Sequence, residues 1–374
     1  MSIKTRARRA SGRERRKCTL VVPAMRILLV KRDKIGDLVL TTAIIDHLSA
    51  TLPDVEVHLL ANDYNAWVVA GMAALRRLWI YPRVRHGGRL RPGAALSQVP
   101  LAIALWRMRF DWAIAMNGEE SPRALRRALA VGALRTAGYA TARHGYGRRL
   151  TDALPAPAEG HELARMVALL APLGVAAPRT WPAPSCAIPV VDRDRAYAWL
   201  AGEDLQPGAY VFLGLGARWP HKQPDAAQVL RWVRAWHDRW GLPTVLSWTP
   251  GDRTNPLYPG DDAIAHAVLA HGLPFVHPYI GTMEVAAALV QAARTTLVPD
   301  SGLMHVGAAS PGGVLGLFAL GSGMDDPPRW HPVGPRARWL VAPDAVSALD
   351  DETVLEALAP LAHSATVVSG SVQA

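Results

Sequence analysis

Three short loops hold the residues best suited to chemistry. The first, Lys31-Arg-Asp-Lys-Ile-Gly-Asp37, leaves an apolar run and enters a helical pattern. Gly36 permits a tight turn or close approach of a ligand. Asp37 falls at or near the helix start, where a carboxylate can take a proton from an attacking hydroxyl or simply cap the helix by accepting a backbone N–H. The positive end of the helix should keep it ionised at neutral pH. The second loop, Gly214-Leu-Gly-Ala-Arg-Trp-Pro-His-Lys222, sets Arg218 and Lys222 after two glycines. That arrangement is either a cradle for a diphosphate or a polar surface loop, and it is not a Walker motif. The third, Asp300-Ser301-Gly302 followed by Leu-Met-His305, joins an apolar run to a small-residue helix. Free backbone N–H groups at such a junction form an anion site, and His305, one turn in, faces either the ligand or the core.

Other chemistries lack their residues. No Gly-x-Ser-x-Gly elbow supports a hydrolase triad. No Cys/His group has zinc spacing. No Gly-x-Gly-x-x-Gly follows the first apolar run, which argues against a dinucleotide enzyme. Asp192-Arg-Asp194 spells the Asp-x-Asp of metal-dependent glycosyltransferases, but it opens a helix just after Pro189, where capping explains it.

The elements that must position these loops alternate between strand and helix. Strands are expected at 26–31, 55–60, 78–81 and 112–116, with a helix over 37–51. Prolines at 155, 157, 172, 178, 182, 184 and 189 mark a linker interrupted by one helix near 161–173. The same grammar then restarts. Strands are expected at 209–213, 244–247, 274–276, 295–298 and 313–318, and helices at about 224–240, 261–271, 282–293 and 301–309. The chain therefore reads as an α/β protein with a basic, disordered head over 1–24, one Rossmann-like domain over 25–180 and a second over 181–365. A ligand cleft is expected between them, at the carboxyl ends of both sheets.

The chain has 374 residues and a net charge of +10. Residues 1–24 contain eight basic residues and one acid, so they supply +7 of that charge, and the body is not a basic nucleic-acid binder. The head reads either as an arm able to touch anionic lipid or as residues ahead of a true start at Met25. No apolar run approaches the ~20 residues of a membrane span. Two cysteines, Cys18 and Cys186, make no disulfide framework, which points to the cytoplasm.

Taken together, the segments resemble the heptosyltransferase family of inverting glycosyltransferases. Met25-Arg-Ile-Leu-Leu-Val-Lys31 with Ile35-Gly-Asp37 is similar to the family's opening strand and Gly-Asp turn. Asp300-Ser-Gly-Leu-Met-His305 resembles its Asp-Thr/Ser-Gly-x-Met/Ser-His signature, and Phe318 to Pro332, with Gly323, Asp326-Pro327 and Arg329-Trp330, resembles the stretch that follows. The resemblance implies a GT-B fold of two facing Rossmann-like domains, the first for acceptor and the second for donor. It implies Asp37 as general base and Lys222, with Arg218 nearby, against the donor diphosphate. Asp300, Ser301, Gly302 and His305 would line the donor's phosphate and sugar, Gly281 and Thr282 would lie near the base, and Asn117 would face the cleft. The ribose-binding acid is not clear; Asp252 is the candidate, beside an apparent insertion at 255–260. Gly323-Met-Asp-Asp-Pro327 also lacks the family's threonine.

The implied reaction moves a heptose from ADP-heptose to a lipopolysaccharide-core or related glycan, with no cofactor and no metal. Arg85 and Arg89, among several first-domain loop arginines, would meet an anionic acceptor. That would place the enzyme in the cytoplasm, with peripheral contact at the inner membrane face. A transferase acting on another glycan or a small natural product, and a sugar-nucleotide epimerase of the same architecture, remain the alternatives.

Overall fold

The computed structural model describes residues 24–86, 89–255, 259–321 and 326–363. The head at 1–23, and Gly323 within the Gly-Met-Asp-Asp-Pro stretch, lie outside these residues. In the first half the order is β1 (Met25–Val30), α1 (Ile35–Thr51), β2 (Val55–Asn62), β3 (Arg77–Tyr81), β4 (Arg85–His86), β5 (Arg89–Leu90), α2 (Pro92–Arg107), β6 (Trp112–Ala115), α3 (Pro122–Ala130), β7 (Arg135–Tyr139), β8 (Asp152–Leu154) and α4 (Glu162–Ala168). The second half comprises α5 (Val190–Gly202), β9 (Val211–Gly214), α6 (Ala226–Trp240), β10 (Thr244–Ser247), α7 (Asp262–Leu269), β11 (Val276–Tyr279), α8 (Met283–Ala292), β12 (Thr295–Pro299), α9 (Gly302–Ala308), β13 (Val314–Ala319), α10 (Pro327–Trp330), β14 (Ala337–Ala342) and α11 (Asp351–His363).

Two six-stranded sheets result, ordered β3-β2-β1-β6-β7-β8 and β11-β10-β9-β12-β13-β14. Every pairing in both is parallel. Parallel strands need helices on both faces, which is why β1 is fully apolar from Ile27 to Val30 and fully buried there. In each sheet the winding reverses once, between β1 and β6 and between β9 and β12. Crevices for ligands open at such reversals, beyond the carboxyl ends of the strands. All three chemistry-bearing loops leave one of these four strands: 31–37 follows β1, 214–222 ends β9, and 300–305 follows β12.

The halves share a core. Buried side chains of α1 continue without interruption into those of α8 and α9, and α1 packs directly on α9 and α4. This explains why α1 is buried almost all round rather than along one stripe. The proline-rich stretch is more than a tether. Within it α4 packs on α1, and a strap at 185–187 is tied to both halves. Ser185 N donates to Thr42 Oγ1 at 2.8 Å, Ala187 N to Val68 O at 2.8 Å, and Gln291 Nε2 to Cys186 O at 2.6 Å.

Candidate active site

The loop after β1 is organised by Lys31, which is fully buried. Its Nζ lies 3.4 Å from Asp33 Oδ2, 3.4 Å from Asp37 Oδ1 and 3.7 Å from Glu162 Oε1. Burial alone would lower the ammonium pKa, but the carboxylates outweigh it and the net shift is upward, so Lys31 is charged. Asn65 Nδ2 donates to Asp33 O at 2.9 Å and Asn62 Nδ2 to Arg32 O at 2.7 Å, bracing the loop from β2. Asn117, just past β6, donates to Asp33 Oδ2 and keeps a buried Oδ1 with no partner.

Asp37 is the third residue of α1. The cap position belongs to Lys34, whose side chain caps nothing. The capping account of Asp37 is therefore not the one this chain uses. The expectation of a lowered pKa is also corrected: burial raises it, the Lys31 ammonium pulls it down, Asp33 and Glu162 push it further up, and the net is upward. A carboxylate set above its usual range beside a fixed cation is suited to accepting a proton.

Glu162 opens α4 and is buried. It accepts from Gly118 N at 2.9 Å, and a Cβ at Gly118 would run into this carboxylate, which Lys31 and Arg329 hold in place. Arg329, on α10 of the other half, donates through Nε to Glu162 Oε2 at 2.9 Å and through a terminal nitrogen to Glu119 Oε2 at 3.1 Å. Burial raises the Glu162 carboxyl, but Lys31, Arg329 and the Gly118 N–H hold it below its ordinary value. A second tie joins the halves nearby. His161 Nδ1 accepts from Leu163 N at 3.2 Å, and its Nε2 lies 3.0 Å from His331 O. With Nε2–H donating, the ring is neutral, in keeping with a pKa pushed down to about 4 by burial.

On the second half, Lys222 sits in a short 3-10 turn, and its Nζ lies 2.7 Å from Asp300 Oδ2. Asp300 follows β12 directly and is fixed by its N–H to Leu317 O at 2.9 Å. Ser301 precedes α9, a helix of only seven residues. A Cβ added to Gly302 would reach Gly36 N and Ile35 Cβ of α1 at 3.5 Å, and a Cβ on Gly36 would stand 2.5 Å from His305 Cδ2. The first turns of α1 and α9 thus meet across the halves through two glycines. His305 is buried, its Nδ1 lacks a partner, and burial pushes its pKa down to about 3, so it is a neutral ring.

The remaining expected residues are less gathered. Arg218 is exposed, with its guanidinium 5.9 Å from the Trp219 ring centre. Thr282 caps α8 by accepting from Val285 N at 3.4 Å, and Gly281 leaves room for the Tyr279 hydroxyl. Asp252 is exposed, and hydrogen bonds from the Thr254 side chain and from Thr254 N, the latter at 2.7 Å, lower its pKa. Arg85 and Arg89 lie on the paired strands β4 and β5, opposite Leu90 and His86 respectively.

This geometry fits a transferase cleft, and one comparison decides the family. The model of Glycosyltransferase family 9 (heptosyltransferase) matches residues 100–355. The chain belongs to this family of glycosyltransferases. No curated protein matches it in sequence. Among solved structures, a family 9 glycosyl transferase from Veillonella parvula is 18% identical, with 90% of this chain and 97% of that one covered and a TM-score of 0.73. E. coli ADP-heptose LPS heptosyltransferase II is 19% identical over 90% and 98%, at 0.68. E. coli heptosyltransferase WaaC with ADP is 18% identical over 90% and 100%, at 0.68. They share the GT-B fold of this family 9 enzyme. The family match begins after the Asp37 loop, so that loop's role rests on geometry.

Sequence reasoning passed over four site residues of this glycosyltransferase: Lys31, Asp33, Glu162 and Arg329. Lys31 offered one signal, a lone cation closing a strand otherwise buried on both faces. Arg329 was noted only within a motif. Asp33 offered no distinguishing signal, and Glu162 sat in a stretch that reads as linker.

Proposed function

We propose that this glycosyltransferase moves a heptose from ADP-heptose, with inversion, to an anionic glycolipid of the lipopolysaccharide-core type at the cytoplasmic membrane face. The observation that carries the reading is the meeting of the α1 and α9 first turns at Gly36 and Gly302. It brings the loop holding Asp37 to the loop holding Asp300, which is tied by an ion pair to Lys222 on the loop after β9, at one seam between the switch points of both sheets. ADP bound to WaaC, and the ADP-heptose donor named for heptosyltransferase II, support the donor class.

In the proposed step Asp37 takes the proton of an acceptor hydroxyl. The hydroxyl oxygen bonds to the anomeric carbon as the bond from that carbon to the diphosphate oxygen breaks. A single displacement inverts the centre. The departing diphosphate gains charge, and Lys222 stabilises it by exchanging part of its pairing with Asp300 for the phosphate. A fixed ammonium supplies the charge stabilisation that a metal gives in other transferases, so turnover is expected to survive EDTA. Closure of the two halves, held by Arg329 on Glu162 and Glu119, limits hydrolysis.

The test offers purified enzyme ADP-, UDP- and GDP-activated sugars with a phosphorylated inner-core acceptor and follows nucleotide release and product anomer. Transfer from ADP-heptose with an inverted product is expected. A retained anomer, a UDP-sugar used in preference, epimerised donor without acceptor, or a need for magnesium would each overturn part of the reading.

A further inference from the structure

The outer surface of α2 has no assigned role. Leu96, Val99, Ile103 and Trp106 are 74%, 57%, 47% and 48% exposed. At about 100° per residue, steps of three, four and three place all four within an arc of ~80°. The opposite side of the helix is the one that holds it to the protein. Ala94 and Leu105 are buried, Leu101 and Ala104 pack on the core beneath, and Gln98 Nε2 donates to Pro82 O at 2.8 Å. Leu134, 76% exposed, extends the apolar stripe, because Gly132 in the same turn abuts the Trp106 ring.

The charges carried by the segments around the stripe have one sign. Residues 91–109 and 121–135 contain seven arginines and no aspartate or glutamate, and of the seven Arg91 and Arg135 are paired with Asp63 and Asp152 from neighbouring segments. Arg107, Arg109, Arg123 and Arg126 are exposed, and the Arg109 guanidinium lies 4.6 Å from the Trp106 ring centre. An apolar stripe with tryptophan, rimmed by exposed arginines on segments that carry no acid of their own, is the composition of a helix that lies in a lipid–water interface.

We propose that this face of α2 seats the enzyme on an anionic phospholipid surface, with the stripe at the acyl boundary and the arginines among the headgroups. Charge argues against a second copy as the occupant. A two-fold pairing of α2 with itself would set both arginine groups together with no carboxylate between them. Position agrees with the glycolipid reading. α2 begins directly after the β4–β5 ribbon, which follows the carboxyl end of β3, the end at which parallel sheets of this kind open to ligands. The inference rests on that reading for its purpose, but its test uses neither donor nor acceptor, so each can fail alone.

The full-length enzyme is sedimented with vesicles of phosphatidylethanolamine containing roughly one-third phosphatidylglycerol, and with phosphatidylcholine vesicles. Binding to the anionic vesicles alone is expected. Leu96→Glu with Ile103→Glu should lower it at least ~10-fold while nucleotide binding and thermal midpoint stay unchanged, since both positions face water. Arg123→Glu with Arg126→Glu should weaken binding at low salt and matter less at ~1 M salt. Three results overturn the proposal: wild type that stays in the supernatant, a double-glutamate variant that binds as well as wild type, or a lipid-free dimer that this variant splits.

Discussion

On the β1 side of the seam three carboxylates surround one fully buried ammonium; on the β9 side, among the described residues, the Lys222 ammonium meets the Asp300 carboxylate. With all groups ionised the first cluster carries −2, or −1 once Arg329 is included, whereas the Lys222–Asp300 pair is neutral. The two sheets have the same topology, so the contrast comes from the loops. Surplus negative charge and burial raise the Asp37 carboxyl and make it readier to hold a proton. Lys222 is buried and paired with Asp300; under the proposed reading a diphosphate would take over part of that pairing. In the proposed reading one frame would serve as proton acceptor on one side and as anion site on the other.

The contrast breaks first at Asp37. Asp37→Asn is expected to slow transfer by about 10²–10⁴-fold while donor affinity holds, because an amide cannot accept the proton; turnover close to wild type would remove Asp37 from the base role. Next comes Lys31→Met, which leaves three carboxylates facing one another. Unfolding midpoints in urea should report a loss of about 3–5 kcal/mol. Activity rises with pH as Asp37 deprotonates, and its acid limb should move to higher pH when the cation that pulls this group down is gone. A limb that stays put, or moves down, would disconnect Lys31 from Asp37.

The donor side should break more gently. Lys222→Ala is expected to weaken nucleoside diphosphate binding ~10–100-fold and leave the free nucleoside alone. Calorimetry that finds both weakened equally would indicate a collapsed loop rather than a lost phosphate contact. The smallest effect belongs to the acceptor. Arg85→Glu with Arg89→Glu should raise acceptor KM several-fold with donor KM constant, and wild-type acceptor KM should climb with salt, because exposed pairs are screened over ~10 Å at 0.1 M. A neutral acceptor used well at any salt would remove these arginines from recognition.

Much of the fold was legible because burial on both faces writes itself as short apolar runs. The strand at 244–247 and the helix that became α8 illustrate this. Elements that lack such a run were missed: β7 opens on Arg135 and contains Gly138, and the edge strand β14 is half exposed, with Arg338 and Trp339 in its middle. The site followed the same logic. Asp37, Lys222 and Asp300 stand in loops after strands, where local pattern suffices. Glu162 lies 131 residues beyond Lys31, and Arg329 another 167, so their convergence depends on the whole succession of parallel crossovers, which no local spacing encodes. Proline content described the backbone around Glu162 and said nothing of what its carboxylate touches.

The strap at 185–187 gives the molecule a built-in clock. Cys186 is buried and its thiol is pushed up to about 12, so while the strap is seated almost no thiolate exists to react. Its backbone is pinned to α1 and the 3-10 turn at 66–69 on one side and to α8 on the other. Alkylation of that sulfur therefore proceeds only in moments when the pins release. The rate at which a small thiol reagent consumes it is expected to count how often the strap lifts from its pins.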